Sequence, residues 1–179
     1  MLRPRRLRWR RPRHVLDVAP APTSTLPPAR PRRRSRRLHT TPASGSDMGT
    51  YTADIDVRFR DIDAMGHVNN AVYATYIEQA RTRYFGEVLG ADLSGTSTVL
   101  ASISIDFRRP VELGDGEVTV TVDVADLGRS SATMAHEVRV GDAVAATAEA
   151  TLVSLDPDTG EPVPIPEDHR AAMESYHDL

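Results

Sequence analysis

Between Tyr51 and Leu152, apolar and polar residues change places at every second position in five separate runs, and one stretch breaks the rhythm. Tyr51, Ala53, Ile55, Val57 and Phe59 alternate with Thr52, Asp54, Asp56, Arg58 and Arg60. Val99, Ala101, Ile103, Ile105 and Phe107 repeat the pattern up to Pro110, and Val118, Val120, Val122 and Val124 follow. Ala132, Met134, His136, Val138 and Val140 form a fourth run; Val144, Ala146, Ala148, Ala150 and Leu152 form a fifth. Residues two apart share one face of a strand, so each run predicts a strand with one buried face. The exception is Asn70 to about Gly86, where Tyr73, Tyr76, Ile77, Ala80 and Tyr84 fall on one helical stripe. Asn69 or Asn70 can cap its start, and Gly90 lies past its end. One strand, one long helix and four strands give a two-layer α+β domain, with the helix on the sheet's apolar face. The turns Leu113–Gly116, Asp126–Gly128 and Gly141–Asp142 predict that the last four strands are antiparallel neighbours. A short helix is expected from Glu167 to Ser175.

Charge divides the chain at Met48. Residues 1–47 hold 13 of the 22 basic residues and two acids, for +11; residues 48–179 hold 9 Arg and 23 acids, for −14. The first part is rich in Arg and Pro and poor in large apolar side chains, so it is expected to be a disordered extension. Its composition fits best a start codon set upstream of a true first residue at Met48; a transit peptide is the other reading. Arg clusters neutralise phosphates, but Trp9 alone could stack on a base, so nucleic acid is not an expected partner. Residues 48–179 are the expected folded domain, long enough to bury a compact core. Their acidity, without a single Lys, points to adaptation to high salt, where screening weakens repulsion among carboxylates. Asp54, Asp56, Asp61, Asp63, Asp106, Asp123 and Glu149 are counted among these charges, many at outward positions of the strands. The absence of Cys excludes disulfides, thiolate metal sites and a thiol nucleophile. No apolar run approaches the roughly 18 residues of a membrane span. A cytoplasmic location is expected, or an organelle matrix if residues 1–47 are a transit peptide.

One segment combines groups that can do chemistry. Arg60-Asp61-Ile62-Asp63-Ala64-Met65-Gly66-His67-Val68-Asn69-Asn70 puts carboxylates, a Gly, a His and two Asn on a loop that leads into the helix. The first N–H groups of a helix are unpaired and sit at the positive end of its dipole. They can hold a carbonyl oxygen that gains negative charge, while a nearby carboxylate acts as base or nucleophile. This combination suits attack on a thioester or ester. Asp and Asn before a helix are also ordinary caps, and a lone His is commonly structural. No second His stands at metal-ligand spacing, so no metal is expected, and no Gly-x-Ser-x-Gly is present.

The run Arg58-Phe59-Arg60-Asp61-Ile62-Asp63-Ala64-Met65-Gly66-His67-Val68-Asn69-Asn70, followed by Tyr73, Tyr76, Glu78 and Ala80-Arg81, resembles the hotdog-fold acyl-CoA thioesterases of the 4-hydroxybenzoyl-CoA type. Phe107-Arg108-Arg109-Pro110-Val111-Glu112-Leu113-Gly114-Asp115 and Leu127-Gly128-Arg129-Ser130-Ser131 resemble the same family, and the likeness runs from about Tyr51 to Leu155. It implies a five-stranded antiparallel sheet wrapped around one long helix, and a homodimer or homotetramer with acyl sites between subunits. It puts Asp63 at the catalytic carboxylate, Asn70 at the position whose backbone N–H polarises the carbonyl, and Gly66 where close backbone access is needed, with His67 beside them. Glu78 is a second candidate carboxylate; a salt bridge with Arg81 or Arg83 is its structural alternative. CoA enters as part of the substrate and no other cofactor is implied. Its phosphates make Arg108, Arg109 and Arg129, with Ser130 beside the last, candidates to bind it. A hotdog hydratase and a non-catalytic acyl-thioester-binding dimer are the competing readings. Hydratases of this fold space their Asp and His five apart, whereas Asp63 and His67 are four apart.

Overall fold

The computed structural model describes residues 49–91 and 98–179; the extension read at residues 1–47 lies outside them. Five strands are formed: β1 (Tyr51–Asp56), β2 (Thr98–Phe107), β3 (Glu117–Leu127), β4 (Ser131–Val140) and β5 (Ala143–Ser154). Helix α1 (Asn70–Glu87) follows β1, and α2 (Glu167–His177) ends the chain, two residues beyond the expected stop. The strands form one antiparallel sheet in the order β1-β3-β4-β5-β2. Val118, Val120, Val122 and Val124 of β3, with Ala132, Met134 and Val138 of β4, meet the stripe Tyr73, Tyr76, Ile77, Ala80 and Tyr84 of α1 in the core. Each fully buried Val contributes about 1.5–3 kcal/mol, so the alternation itself fixes which face the helix covers. Among the described residues no helix is long and apolar enough to cross a membrane.

Sheet order corrects one expectation. β2 does not neighbour β3: it pairs with β5 at one edge, while β3 pairs with β1 at the other. Residues 108–116 between them exceed a hairpin turn. They carry a 3-10 turn at Leu113–Asp115 and a fully buried Val111, whose carbonyl accepts from the Val68 N–H at 2.8 Å. The other two turns do join neighbours, β3 to β4 and β4 to β5.

Two further expectations fail locally. The alternation points Phe59 inward, but it is 83% exposed, because a 3-10 turn at Phe59–Asp61 ends the strand pattern. In β2 only Ile103 and Ile105 of the apolar run are half-buried beside Thr98 and the sheet, and Val99, Leu100 and Phe107 are exposed. A register shift between Leu100 and Ser102 breaks the strand's regular facing, and one of its edges has no neighbour in the sheet. A register shift in the β4–β5 pairing accompanies the entry of Ala145 into the core beside Ala146.

Candidate active site

The segment between β1 and α1 folds as a small hairpin. Asn69 N–H donates to the Asp61 carbonyl (2.8 Å), Ile62 and Val68 form a bridge, and Asp63 N–H donates to the His67 carbonyl (2.8 Å). The tip is Ala64-Met65-Gly66, closed by a bond from Gly66 N–H to the Asp63 carbonyl at 3.1 Å. Asp63 Oδ1 accepts from the Met65 N–H at 2.8 Å and from the His67 N–H at 3.4 Å. Among the described residues its Oδ2 has no partner. Gly66 has φ +84°, a conformation that disfavours side chains, although a Cβ there would meet nothing within 4 Å. Glycine is therefore needed here for its backbone angle, and the space beside it is open.

The hairpin delivers the chain into α1. Asn69 is the N-cap, its side chain accepting from the Ala71 N–H at 2.9 Å. The Asn70 N–H has no partner among the described residues. It sits at the positive end of an 18-residue helix. Asp63, Gly66, His67 and Asn70 are thus gathered on one hairpin–helix junction. His67 is half-buried and its backbone bridges to Glu112 on the crossing segment.

Other candidates stand apart. Glu78 is exposed, eight residues into α1 and so about 12 Å along the axis from Asn70. Among the described residues it forms no salt bridge within 4 Å to Arg81 or Arg83: its charge acts on the buried Arg81 without a direct contact, and Arg83 donates to the Asp54 carbonyl at 2.8 Å. Arg108 and Arg109 are exposed just past β2, their backbone N–H groups bonded to the Ala145 carbonyl. Arg129 and Ser130 lie on the β3–β4 turn. Ser130 lines a cavity of about 30 Å³ with Phe85 near the other end of α1 and Leu89 just past it. Phe85 is about 22 Å along the helix axis from Asn70, so Arg129 and Ser130 do not join the Asp63 group within one copy of the chain.

Asp61 corrects the sequence reading in this region. Counted above among the charges of the acidic surface, it is only 7% exposed and lies under the hairpin. Its Oδ2 accepts from the Arg58 N–H and from the Tyr76 hydroxyl, both at 2.9 Å. Burial, and then the bond to the Asp61 carboxylate, push the Tyr76 phenol well above its usual range, so it stays a donor. The only sequence signal for this role is the Arg58-x-x-Asp61 spacing, which suits a carboxylate closing a turn on a backbone N–H.

A family model described as the Thioesterase-like superfamily matches residues 57–173. A thioesterase from Thermus thermophilus, whose structure was determined with coenzyme A and Zn, is 40% identical, with a TM-score of 0.64 over 72% of this chain and 94% of that one. A DHNA-CoA thioesterase from Staphylococcus aureus, 21% identical, shares the fold, with a TM-score of 0.66 over 74% of this chain and 93% of that one. The uncharacterized protein YsmA of Bacillus subtilis is 33% identical over 81 residues, 45% of this chain. The chain spans about half (54%) of that curated relative's length.

Proposed function

The chain belongs to the thioesterase-like superfamily, and from that premise we propose that it is an acyl-CoA thioesterase whose chemistry centres on Asp63. One observation carries this reading: a carboxylate oxygen and a helix-start N–H, both without a partner among the described residues, belong to the same junction. The thioester carbonyl oxygen accepts from the Asn70 N–H, where the helix dipole favours the charge it develops. Asp63 takes a proton from water as the oxygen attacks the carbonyl carbon, or attacks that carbon itself to give an anhydride that water opens. The C–S bond breaks, the CoA thiolate leaves and takes up the proton, and a free acid remains. Gly66 keeps the approach open, and His67 braces Asp63 through its backbone N–H. Glu78 is the fallback carboxylate.

Arg108 and Arg109, exposed just past β2, suit the phosphates of CoA. Arg129 and Ser130, at the other end of the helix, could act only on substrate held by another copy. Exposed Val99, Leu100 and Phe107 on the edge strand β2 give such a copy an apolar edge to pair with, in a homodimer or homotetramer. Sedimentation of the purified chain tests that assembly, and a monomer at micromolar concentration would remove it. Thiol release from a panel of acyl-CoAs tests the activity, with Asp63→Asn as the control. Hydration of an enoyl-CoA without thiol release would replace this reading with a hydratase, and binding without either reaction would make the chain an acyl-thioester binder.

A further inference from the structure

We propose that Asp61 and Tyr76 are a positioning pair that pins the Asp63 hairpin to α1 and so sets the spacing between the Asp63 carboxylate and the Asn70 N–H. The inference rests on the reading of Asp63 above. Four hydrogen bonds converge on Asp61. Its N–H donates to the Arg58 carbonyl at 2.9 Å, its own carbonyl accepts from Asn69 at 2.8 Å, and its Oδ2 accepts from the Arg58 N–H and the Tyr76 hydroxyl. Asp61 and Asn69 are the two ends of the hairpin base, so whatever fixes Asp61 fixes both arms.

The fixed point is on the helix. Tyr76 lies six residues past Asn70, about 9 Å along the axis, and it is 2% exposed within the core. Its hydroxyl reaches a carboxylate that is itself buried, and a bond to an ionised acceptor is roughly twice as strong as a neutral one. Backbone bonds close the hairpin on itself and tie its second arm to the crossing segment, through Val68 to Val111 and His67 to Glu112, but among the described residues none joins it to α1 beyond the first turn. The Tyr76–Asp61 bond is the side-chain tie from the hairpin base to the body of α1. Displacement of a reacting group by about 1 Å can cost a hundredfold in rate, which makes such a tie a kinetic device.

Tyr76→Phe keeps the ring and removes the tie. The expected result is a kcat at least tenfold lower per folded site, with KM for the acyl-CoA changed less than threefold. Combined with Asp63→Asn the further loss should shrink below threefold, because the group being positioned is already gone. Asp61→Asn, which keeps the shape but weakens both bonds, should act in the same direction with a smaller effect, and it serves if Tyr76→Phe does not fold. Hydrogen exchange reads the tie without any activity. The amides of Asp63, His67 and Asn69 should exchange at least tenfold faster in Tyr76→Phe, while those of Val118–Val124 hold. Unchanged exchange at the hairpin, or an unchanged kcat where Asp63→Asn is inactive, would overturn the proposal. An active Asp63→Asn would instead sink the reading of Asp63 and leave the exchange result to decide the tie.

Discussion

The two ends of α1 are built to opposite purposes. At the C-terminal end several polar groups are answered. Val88 N–H returns to the Tyr84 carbonyl, the Tyr51 hydroxyl donates to Glu87 at 2.9 Å, and His177 Nε2 stands 2.9 Å from the buried Tyr84 hydroxyl. Helix α2 closes that end with Met173 in the core, beside Ile165 just before the helix. At the N-terminal end the Asn70 N–H and an Asp63 oxygen have no partner among the described residues, and Phe59 and Met65 of the same segment stand 83% and 79% exposed. The groups left at the N-terminal end are exposed or half-exposed rather than buried, and on the proposed reading they receive a ligand with a developing negative charge.

The contrast predicts that rate and stability separate by end, and Asp63→Asn gives the largest effect. Asn keeps the oxygen that accepts from Met65 and His67, so the hairpin survives, but it cannot take a proton or attack as an anion. Thioester hydrolysis should fall at least a thousandfold, about 4 kcal/mol on the barrier, with the thermal midpoint unchanged. Steady-state thiol release beside a melting curve checks both halves. A loss under tenfold would take Asp63 out of the chemical step.

Between the ends, Arg81 of α1 acts on His136 of β4. Burial pushes this imidazole down to about 4, the bond from Nδ1 to the Thr121 carbonyl opposes that shift, and the Arg81 charge adds to it. In an unfolded chain it titrates near 6.5, so between those values the unfolded state binds the extra proton. The contribution of His136 is complete above about pH 6.5 and is lost as pH falls to about 4, a change of about 3 kcal/mol. Urea unfolding at a series of pH values should show that slope, and His136→Asn should remove it. A slope that survives the substitution would assign acid sensitivity to other groups.

What the sequence could reveal divides along similar lines. The stripe of Tyr73, Tyr76, Ile77, Ala80 and Tyr84 is legible because helical period is local, and all five side chains are buried. The inward Val residues of β3 are legible for the same reason. Sheet order is not: a turn at Leu113–Gly116 looks alike whether it joins neighbours or begins a crossing, and the buried Val111 that settles it is a tertiary fact. In the candidate site, the carboxylate, glycine and asparagines that lead into α1 can be read from their order along the chain. Asp61 is hidden, since an Asp in a run of charges reads as solvated until a Tyr 15 residues away is found to answer it. The α2 closure, through Tyr84 and His177, spans 93 residues and leaves no periodic trace.

The C-terminal end gives the next effect. His177→Ala leaves the Tyr84 hydroxyl buried without its partner, which costs about 2 kcal/mol. Adding Tyr84→Phe removes the orphan group and should return part of that loss. Activity per folded site should be the same in all three proteins, because Tyr84 is about 21 Å along the helix axis from Asn70. Denaturant midpoints and kcat measured together test it. A parallel fall in kcat would mean that the two ends are coupled, and the contrast drawn above would break.

Salt should produce the smallest effect, and it acts on what joins the ends rather than on either of them. Residues 48–179 carry −14, and Asp54, Asp56, Asp106 and Glu149 are exposed positions on the strands. Asp61 is withdrawn from that surface by Tyr76, and Arg139, the one Arg within β4, is held by Glu137 at 2.6 Å. Repulsion among the remaining carboxylates acts over a Debye length of about 30 Å in 0.01 M salt and about 3 Å at 1 M. Raising KCl from millimolar to molar should therefore stabilise the fold by about 1 kcal/mol, a few degrees in midpoint, by relieving the sheet surface. The hairpin's bonds are mostly backbone, and the Tyr84–His177 contact is buried, so neither should respond. The midpoints of wild type and His177→Ala should then rise in parallel with salt. Lines that converge would place the salt-sensitive charges at α2, and a flat line for both would reduce the acidity to composition without a role in stability.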